Sequence, residues 1–268
     1  MIGLLRSSKA GFTDLLLSIR RINLAGLLGW QDVKQRYNRS ALGPFWLTIS
    51  MGIMVLTMGV VFGNIFNTPL KEFLPFLALG IIYWGFISSV ISEGCLAFVS
   101  GEAMIKQLPM PMFVYVMRVI WRNFIILAHN IVIFPLVLIF VGRGLNWNIL
   151  WAVPGLILLV ANLSWIALLL ATCCARYRDL PQMVTSLLQV LFYLTPIMWL
   201  PDLLPREKVF YLLDVNPVYH LMDIVRTPLM GNSPSSETWI ICSIMAVVGW
   251  IVTATFYGRY FKRIAFWV

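Results

Sequence analysis

The sequence predicts an all-α polytopic membrane protein with six transmembrane helices and an N-terminal amphipathic interface helix. Apolar residues make up 60% of the 268 residues and charged residues only 12%, proportions typical of membrane proteins rather than soluble domains. Six apolar stretches approach or exceed the roughly 20 residues that a helix needs to cross the hydrocarbon core. Backbone groups in lipid must be hydrogen-bonded within the chain, so these stretches are predicted to be helical. A single transmembrane domain, residues 1–268, contains them at Leu42–Phe66, Phe73–Val99, Phe113–Val141, Ile149–Cys174, Met183–Leu200 and Trp239–Tyr260.

An amphipathic helix is predicted before the first stretch, over residues 12–39. Its apolar residues recur at offsets of three and four, and they are Phe12, Leu15, Leu16, Ile19 and Ile22. The positions between them hold Asp14, Ser18, Arg20, Arg21 and Asn23. This pattern is typical of a helix that lies in the membrane interface, where it either anchors the chain or contacts a partner.

The fifth stretch, Met183–Leu200, is the shortest of the six and contains Pro196. Proline lacks a backbone donor and clashes with the preceding turn of a helix. We therefore expect a kinked or partly re-entrant span at this place.

The distribution of basic residues predicts the orientation. With six spans both termini lie on one side, and that side holds 15 of the 20 lysines and arginines. Because basic loops favour the cytoplasmic side, both termini are expected in the cytoplasm. The net charge of +9 is then explained by topology and by an anionic inner leaflet. No soluble domain offers a basic face for nucleic acid.

A short amphipathic helix is predicted in the loop between the second and third stretches, over residues 100–108. Ser100 is a candidate N-cap, and Glu102 and Lys106 have the spacing of an i,i+4 ion pair. The prolines that follow end this helix before the third stretch. Spacing alone does not distinguish a plain connection from a lever onto a soluble partner.

Motifs for nucleotide binding, hydrolysis and metal binding are missing from the sequence. It contains no Gly-Lys pair and therefore no phosphate-binding loop. Any ATP-driven work is expected from another polypeptide that binds ATP and Mg²⁺, and no cofactor is expected on this chain. The four cysteines lie within or at the ends of apolar stretches, and only two histidines occur. We interpret the cysteines as packing residues and predict no metal site.

Three segments carry a family resemblance, and they are Trp30–Trp46, Tyr177–Leu180 followed by Phe192–Trp199, and Asn216–Arg226. In this order and spacing they resemble the ABC-2 type permeases that export polysaccharides, a family that includes O-antigen, capsule and teichoic-acid exporters. The resemblance covers the whole chain. Many relatives carry a proline shortly after the equivalent of Trp46, where this chain has Thr48–Met51.

The resemblance implies a homodimer in the bacterial inner membrane that pairs with two ATP-binding subunits and forms its path at the dimer centre. Residues 12–39 match the family's interface helix, and residues 201–230 match short re-entrant or interfacial helices on the outer side. Residues 100–108 match the coupling helix, whose candidate ATPase contacts are Ser100, Glu102, Lys106 and Gln107. Spans 1 and 5 flank the path in this family and open sideways to admit a lipid-linked chain. We favour O-antigen on a polyprenyl diphosphate carrier as the substrate, then capsule, then teichoic acid.

Aromatic side chains are the candidates for a glycan path, because their faces stack on sugars and the tips of Tyr and Trp donate hydrogen bonds. Tyr193 is the leading candidate, since its span is short, contains Pro196 and carries Gln189 and Thr195. The other candidates are Trp46, Trp84, Phe62, Phe66 and Trp199. An ordinary aromatic belt at the membrane interfaces is the alternative for each of them.

Ionisable residues near the membrane need a charged partner or contact with water. Glu93 is predicted to pair with Arg118 or Arg122, and the alternative is that it faces a polar lumen. Asp223 and Arg226 are three residues apart, so they are predicted to form an ion pair in the outer segment.

Arg176 and Arg178 follow the fourth stretch. They either hold a short loop against the ATPase or contact the diphosphate of the lipid carrier, because the planar guanidinium fork suits phosphate.

Two other classes of protein compete with this interpretation. A membrane-embedded enzyme acting on lipid-linked sugars needs paired acids or a His/Asp cluster at one interface, whereas the acidic residues here are scattered along the chain. A passive channel or a small-molecule exporter disagrees with the family motifs, although composition alone is compatible with it.

Overall fold

The computed structural model describes the backbone of residues 2–37, 45–144, 146–201, 213–233 and 235–268. Every regular element in these ranges is helical, as the sequence predicts. The helices are α1 (Ile2–Arg20), α2 (Ile22–Tyr37), α3 (Phe45–Ile65), α4 (Leu70–Cys95), α5 (Ala97–Ser100), α6 (Glu102–Gln107), α7 (Phe113–Asn130), α8 (Ile133–Val141), α9 (Ala152–Arg176), α10 (Leu180–Leu194), α11 (Pro217–Leu229) and α12 (Ser236–Trp267), with a 3₁₀ turn at Trp147–Trp151 before α9.

Five helical segments in the described ranges are long and apolar enough to cross a membrane, and they are Phe45–Ile65, Leu70–Cys95, Phe113–Val141, Trp147–Arg176 and Ser236–Trp267. They correspond to five of the six predicted spans. Most of their ends agree with the prediction to within a few residues, and the last helix continues further than predicted. The third segment is interrupted between α7 and α8, where Pro135 cannot donate to the carbonyl of Ile131.

The fifth predicted span, Met183–Leu200, is only partly helical. The α10 helix has 15 residues, or about 22 Å at 1.5 Å per residue, which is less than the thickness of the hydrocarbon core. It ends because Thr195 precedes Pro196, and the residue before a proline disfavours helical dihedral angles. The chain then packs closely on α4, since a Cβ placed on Gly80 would lie 2.8 Å from the carbonyl oxygen of Ile197. Among the described residues, helix length and composition therefore give five candidate spans and one shorter apolar helix.

The central helix of the described bundle is α4, which packs against α3, α7, α8, α9 and α10. Its fully buried side chains include Phe73, Leu74, Leu77, Leu79, Ile82 and Ile87. It approaches α9 closely where small residues meet, because a Cβ on Gly94 would lie 2.9 Å from the Cβ of Ala167. Small residues at such contacts are typical of helices packed within membranes. One wall of the candidate site is thus a well-packed helix.

The predicted interface helix over residues 12–39 is divided into α1 and α2 by a turn at Arg21, and residues 38 and 39 lie outside the described ranges. The α1 helix packs on α12, where a Cβ on Gly11 would lie 2.6 Å from the Cα of Gly258. A glycine pair therefore allows the two backbones to approach.

The buried face of α1 differs from a simple amphipathic expectation. Asp14 and Ser18 are buried against the protein together with Leu15, whereas the apolar residues Phe12, Leu16 and Ile19 are exposed. A helix that borders lipid is stabilised when its apolar side chains face the lipid. The small and polar residues of α1 consequently make its contacts with the bundle.

Candidate functional site

A partly open groove of about 460 Å³ lies between α4 and α10. It is lined by Trp84, Ser88, Ser92, Thr185, Leu188, Gln189, Phe192 and Tyr193. The ring centres of Trp84 and Phe192 are 5.6 Å apart, and those of Phe192 and Tyr193 are 5.3 Å apart. Tyr193 is 68% exposed, so its ring and hydroxyl are accessible. The structure thus brings two of the predicted path residues, Trp84 and Tyr193, to one surface.

Hydroxyl groups lie beside these aromatic rings. The hydroxyl of Ser88 donates to the carbonyl of Trp84 at 2.7 Å, and that of Ser92 donates to the carbonyl of Ser88 at 2.7 Å. Each O–H is used within its own helix, so the oxygen lone pairs remain as acceptors. Among the lining residues, all of which are described, none carries a charge. The groove therefore suits a neutral ligand that has both hydroxyl donors and apolar faces.

The remaining predicted path residues lie outside this lining. Trp46 is exposed at the start of α3, and Phe62 and Phe66 stack on each other near its other end with ring centres 5.8 Å apart. Trp199 lies nearer, because its indole N–H donates to the carbonyl of Tyr193 at 3.1 Å. The path role of all six aromatic residues stays a prediction.

The end of α10 is held by two polar side chains, one from Asn216 at the N-terminal cap of α11 and one from Arg226 in its last turn. The amide of Asn216 donates to the hydroxyl of Thr195 at 3.0 Å, and the guanidinium of Arg226 donates to the carbonyl of Pro196 at 2.6 Å. Arg226 is 2% exposed, and its guanidinium lies 4.1 Å from the ring centre of Phe76 in α4. This end of α10 is therefore clamped against α4, next to the groove.

The predicted ion pair between Asp223 and Arg226 is wrong as a direct contact. These two described side chains form no salt bridge. The carboxylate of Asp223 accepts hydrogen bonds from Thr227 at 2.6 Å and Thr238 at 3.4 Å. Arg226 instead turns into the protein interior, where a carbonyl and an aromatic ring are its neighbours. The two charges still interact electrostatically, but they form no direct salt bridge, because the buried guanidinium donates to the carbonyl of Pro196 instead.

The predicted helix over residues 100–108 is present as α6. Its residues Glu102 and Lys106 form the predicted i,i+4 ion pair at 2.6 Å, and this contact lowers the pKa of Glu102. Lys106 and Gln107 are exposed. The helix thus presents polar side chains at the surface of the bundle.

Ser100 does not cap α6, contrary to the sequence-based expectation. It is the last residue of the short helix α5, and its hydroxyl donates to the carbonyl of Ala97. Gly101 occupies the cap position of α6 and has no side chain to offer. A capping serine needs non-helical backbone angles, which Ser100 lacks because α5 extends through it.

The C-terminal end of α12 lies beside α6. Lys106 donates to the carbonyl of Val268 at 3.2 Å, and Arg178 donates to the carbonyl of Trp267 at 3.2 Å. The guanidinium of Arg176 lies 5.4 Å from the ring centre of Trp267. The two predicted phosphate-binding arginines and the predicted coupling residue therefore meet at one surface, which we call the α6 surface.

A network of charges joins α2 to α4 and α7. The carboxylate of Asp32 accepts from Arg118 at 2.7 Å and from Arg122 at 2.9 Å. Arg122 also donates to Glu93 at 2.7 Å, which confirms the predicted pairing of Glu93. Arg36 of α2 approaches the other carboxylate oxygen of Glu93 at 3.5 Å. Three arginines and two carboxylates from three helices thus form one network, in which the contact of Arg36 is the longest.

Sequence reasoning gave no partner to Asp32. The signal was present in Arg118 and Arg122, which lie one helical turn apart inside an apolar stretch and need an acid nearby. Burial alone would raise the pKa of Asp32, but the two guanidiniums outweigh burial and hold that pKa below its ordinary value of 3.8.

Comparison with known proteins adds family information to this geometry. The profile of the family described as ABC-2 type transporter matches residues 24–230. The O-antigen export system permease protein RfbA of Klebsiella pneumoniae is 24% identical over 231 residues, which cover 83% of this chain and 85% of that protein. RfbA of Myxococcus xanthus is 24% identical over 236 residues, covering 85% of this chain and 89% of that protein. The polysialic acid transport protein KpsM of Escherichia coli is 22% identical over 203 residues, covering 75% of this chain and 78% of that protein.

Proposed function

Because the chain belongs to the ABC-2 type transporter family, we propose that it is the permease subunit of an exporter of lipid-linked polysaccharide. The favoured substrate is O-antigen on a polyprenyl diphosphate carrier. Relatives from two organisms are named as O-antigen export permeases, and this supports the choice. The permease works as a homodimer with two separate ATP-binding subunits that bind ATP and Mg²⁺.

The groove between α4 and α10 is the observation that carries this proposal. A glycan presents C–H faces and hydroxyl groups, and the groove offers aromatic rings beside uncharged hydrogen-bond acceptors. Its lining lacks the charged side chains that would hold an ionic solute in one place. Tyr193 and Trp84 guide the glycan by stacking, and the clamp at Pro196 keeps α10 in position against α4.

The α6 surface receives the ATP-binding subunit. Lys106 and Gln107 are exposed there, and Lys106 also contacts the end of α12. A movement of α6 is therefore transmitted directly to α12. It reaches α7 through the short connection that ends at Met112.

The α6 surface lies in the cytoplasm of a bacterium, and the bundle spans its inner membrane. Both termini are on this side, in keeping with the excess of basic residues there. Arg176 and Arg178 are exposed at the same surface, where they contact the diphosphate of the arriving lipid carrier. Of the predicted outer segment 201–230, residues 202–212 lie outside the described ranges, and residues 213–230 lie on the outer side.

Co-purification is the test of this proposal. The tagged chain is expressed together with the genes that surround it, solubilised in a mild detergent and isolated. We expect an ATP-binding protein at a one-to-one ratio with the permease. Replacement of residues 102–107 by a Gly/Ser sequence of equal length should release that protein while the permease still elutes as one species.

A matched control separates the loss of a lysine from α6 from the loss of a lysine elsewhere. Lys71→Ala removes a lysine at the other end of α4, whereas Lys106→Ala removes one from α6. Only the second change should weaken recovery of the ATP-binding protein. A well-folded permease that never brings an ATP-binding protein would contradict the proposal and favour the channel or enzyme alternatives.

Capsular polysaccharide is the second candidate substrate, because a relative is named as a polysialic acid transport protein. Deleting the gene in its own host and analysing the surface glycans separates the two candidates. Loss of O-antigen with intact capsule supports the favoured substrate, and the opposite result reverses the order.

A further inference from the structure

A second cavity, of about 320 Å³, lies between α2, α3, α4 and α7 and shares no lining residue with the groove. It is lined by Arg36, Leu47, Ser50, Met51, Met54, Ile82, Gly85, Phe86, Ser89, Glu93, Asn123, Ile126, Leu127 and Asn130. Its volume is within the range of small-molecule sites in proteins. The proposed function gives this cavity no role.

The polarity of the cavity changes along its length. Arg36, Glu93 and Asn123 lie together at one end, since Asn123 donates to Glu93 at 2.6 Å and Arg36 approaches Glu93 at 3.5 Å. From Glu93 to Ile82 the α4 wall covers 12 residues, with an axial rise of about 16 Å. At that far end Ile82 and Met54 leave only apolar surface. The cavity therefore runs from a charged end to an apolar end.

The charged end keeps unused binding capacity. Arg36 and Glu93 form a long ion pair of 3.5 Å, and their side chains are 49% and 27% exposed. The shorter contacts of Glu93 with Arg122 and Asn123, at 2.7 Å and 2.6 Å, use its other oxygen. Arg36 thus has guanidinium donors available, and one oxygen of Glu93 is held only weakly.

The middle of the cavity contains a polar group without a partner. Asn130 is 6% exposed, and its amide oxygen accepts no hydrogen bond. A buried acceptor that is left unpaired costs about 1–3 kcal/mol. Ser50 and Ser89 line the same cavity. The wall between the charged and apolar ends therefore retains hydrogen-bonding capacity that the described residues do not use.

These features together match a phospholipid. An inorganic anion would leave the apolar end unused, and an acyl chain alone would leave the arginine and the carboxylate unused. A diphosphate carries several negative charges, whereas the described lining residues include one arginine with a carboxylate beside it. A head group with one phosphate and one ammonium satisfies both charges at once.

We propose that this cavity binds one zwitterionic phospholipid from the leaflet on the α6 side. Its phosphate pairs with Arg36, and its ammonium pairs with the weakly held oxygen of Glu93. The glycerol region lies at the level of Ser50, Ser89 and Asn130, and one acyl chain passes Met51 and Met54. The lipid joins α2 to α3 and α4, so it is a structural ligand and not the transported substrate.

Native mass spectrometry of the purified chain tests this site. Phosphatidylethanolamine, phosphatidylglycerol, inorganic phosphate and a polyprenyl diphosphate are each added to delipidated protein in detergent. We expect one phosphatidylethanolamine per chain at concentrations where the other three probes do not bind. Arg36→Gln should lower its occupancy about tenfold, the loss expected for one charge-assisted hydrogen bond, whereas Lys34→Gln on the same helix should leave it unchanged.

Filling the cavity supplies a second variant that does not touch the charges. A Cβ on Gly85 would meet only the terminal carbon of Met51 at 3.7 Å, and a Cβ on Gly52 would meet nothing within 4 Å. Gly85→Leu should abolish lipid retention, and Gly52→Leu should not. Equal retention in both glycine variants would overturn the proposal. Preferential binding of phosphatidylglycerol or of the polyprenyl diphosphate would overturn the zwitterionic assignment, even where the ATP-binding subunit still co-purifies.

Discussion

The carboxylate of Asp14 accepts a hydrogen bond from the hydroxyl of Tyr257 at 2.7 Å, which connects α1 to the last helix of the chain. The same carboxylate accepts from the backbone N–H groups of Met112 and Phe113, at 2.8 Å and 3.1 Å. These amides belong to the first turn of α7, where an anion is favoured by unpaired N–H groups and by the helix dipole. Burial raises the pKa of Asp14, and the hydrogen bonds act against that rise. One buried side chain thus joins three helices beside the α6 surface.

Asp14→Ala is expected to destabilise the bundle, because it leaves three donors near the start of α7 without an acceptor. The expected loss is about 2–4 kcal/mol, since each unpaired buried group costs about 1–3 kcal/mol and relaxation recovers part of it. Thermal unfolding in detergent measures the change. Thr13→Ala is the matched control, because Thr13 is exposed and its hydroxyl bonds only to Lys9 of the same helix. Equal unfolding temperatures for the two variants would contradict the structural role of Asp14.

Asp32 is expected to make stability depend on acidic pH. Its pKa in the folded protein is lower than in the unfolded chain, because Arg118 and Arg122 favour the carboxylate. The contribution is therefore complete above the unfolded value of 3.8 and is lost as the pH falls through the lower folded value. Asp32→Asn should lower the unfolding temperature at neutral pH and flatten its decline below about pH 4. An unchanged acid profile in this variant would show that other carboxylates govern the decline.

The stability of the bundle is expected to depend on the guanidinium group of Arg226 and not only on its charge. Lysine keeps the charge of Arg226 but lacks the planar group that lies over Phe76 and donates to Pro196. Arg226→Lys should lower the free energy of unfolding, measured by thermal denaturation, by about 2–3 kcal/mol, because the buried ammonium cannot keep both contacts of the guanidinium. Arg143→Lys is the control, since Arg143 is exposed and donates to the carbonyl of Met230; its effect should stay within about 0.5 kcal/mol. Equal effects of the two variants would count against the clamp on α10.

Tyr193→Ala and Trp84→Ala are expected to reduce glycan export and to leave assembly with the ATP-binding subunit intact. An aromatic contact contributes about 0.5–1.5 kcal/mol, so each change should lower the rate of surface display roughly three- to tenfold. Met183→Ala is the control on the same helix, because Met183 is exposed and does not line the groove. Display of the glycan at the same rate in all three variants would remove the groove from the path. Pulse labelling of surface polysaccharide gives the rate.

The prediction of charge contacts from sequence succeeded for one local pair, Glu102–Lys106, and for one pair between helices, Glu93–Arg122, and it failed for another local pair. The Glu102–Lys106 pair formed as expected, because both residues lie on one face of one short helix. The Asp223–Arg226 pair, at a similar spacing, did not form, because the interior of the protein offered Arg226 the carbonyl of Pro196. Local spacing shows which contacts are possible, and burial selects among them.

Local patterns in the sequence were enough to predict the helical class, the position of five candidate spans and the family. Those properties follow from local rules, because backbone groups in lipid can form hydrogen bonds only within the chain. A long apolar stretch therefore forms a helix. The packing of the helices was needed to show that Asp14 contacts Tyr257, that Asp32 binds Arg118, and that Trp84 and Tyr193 border one groove. The residues in each of these contacts are far apart in the chain, and their meeting depends on how whole helices pack. That packing is set by shape and by small residues such as Gly94, which no local pattern of hydrophobicity contains.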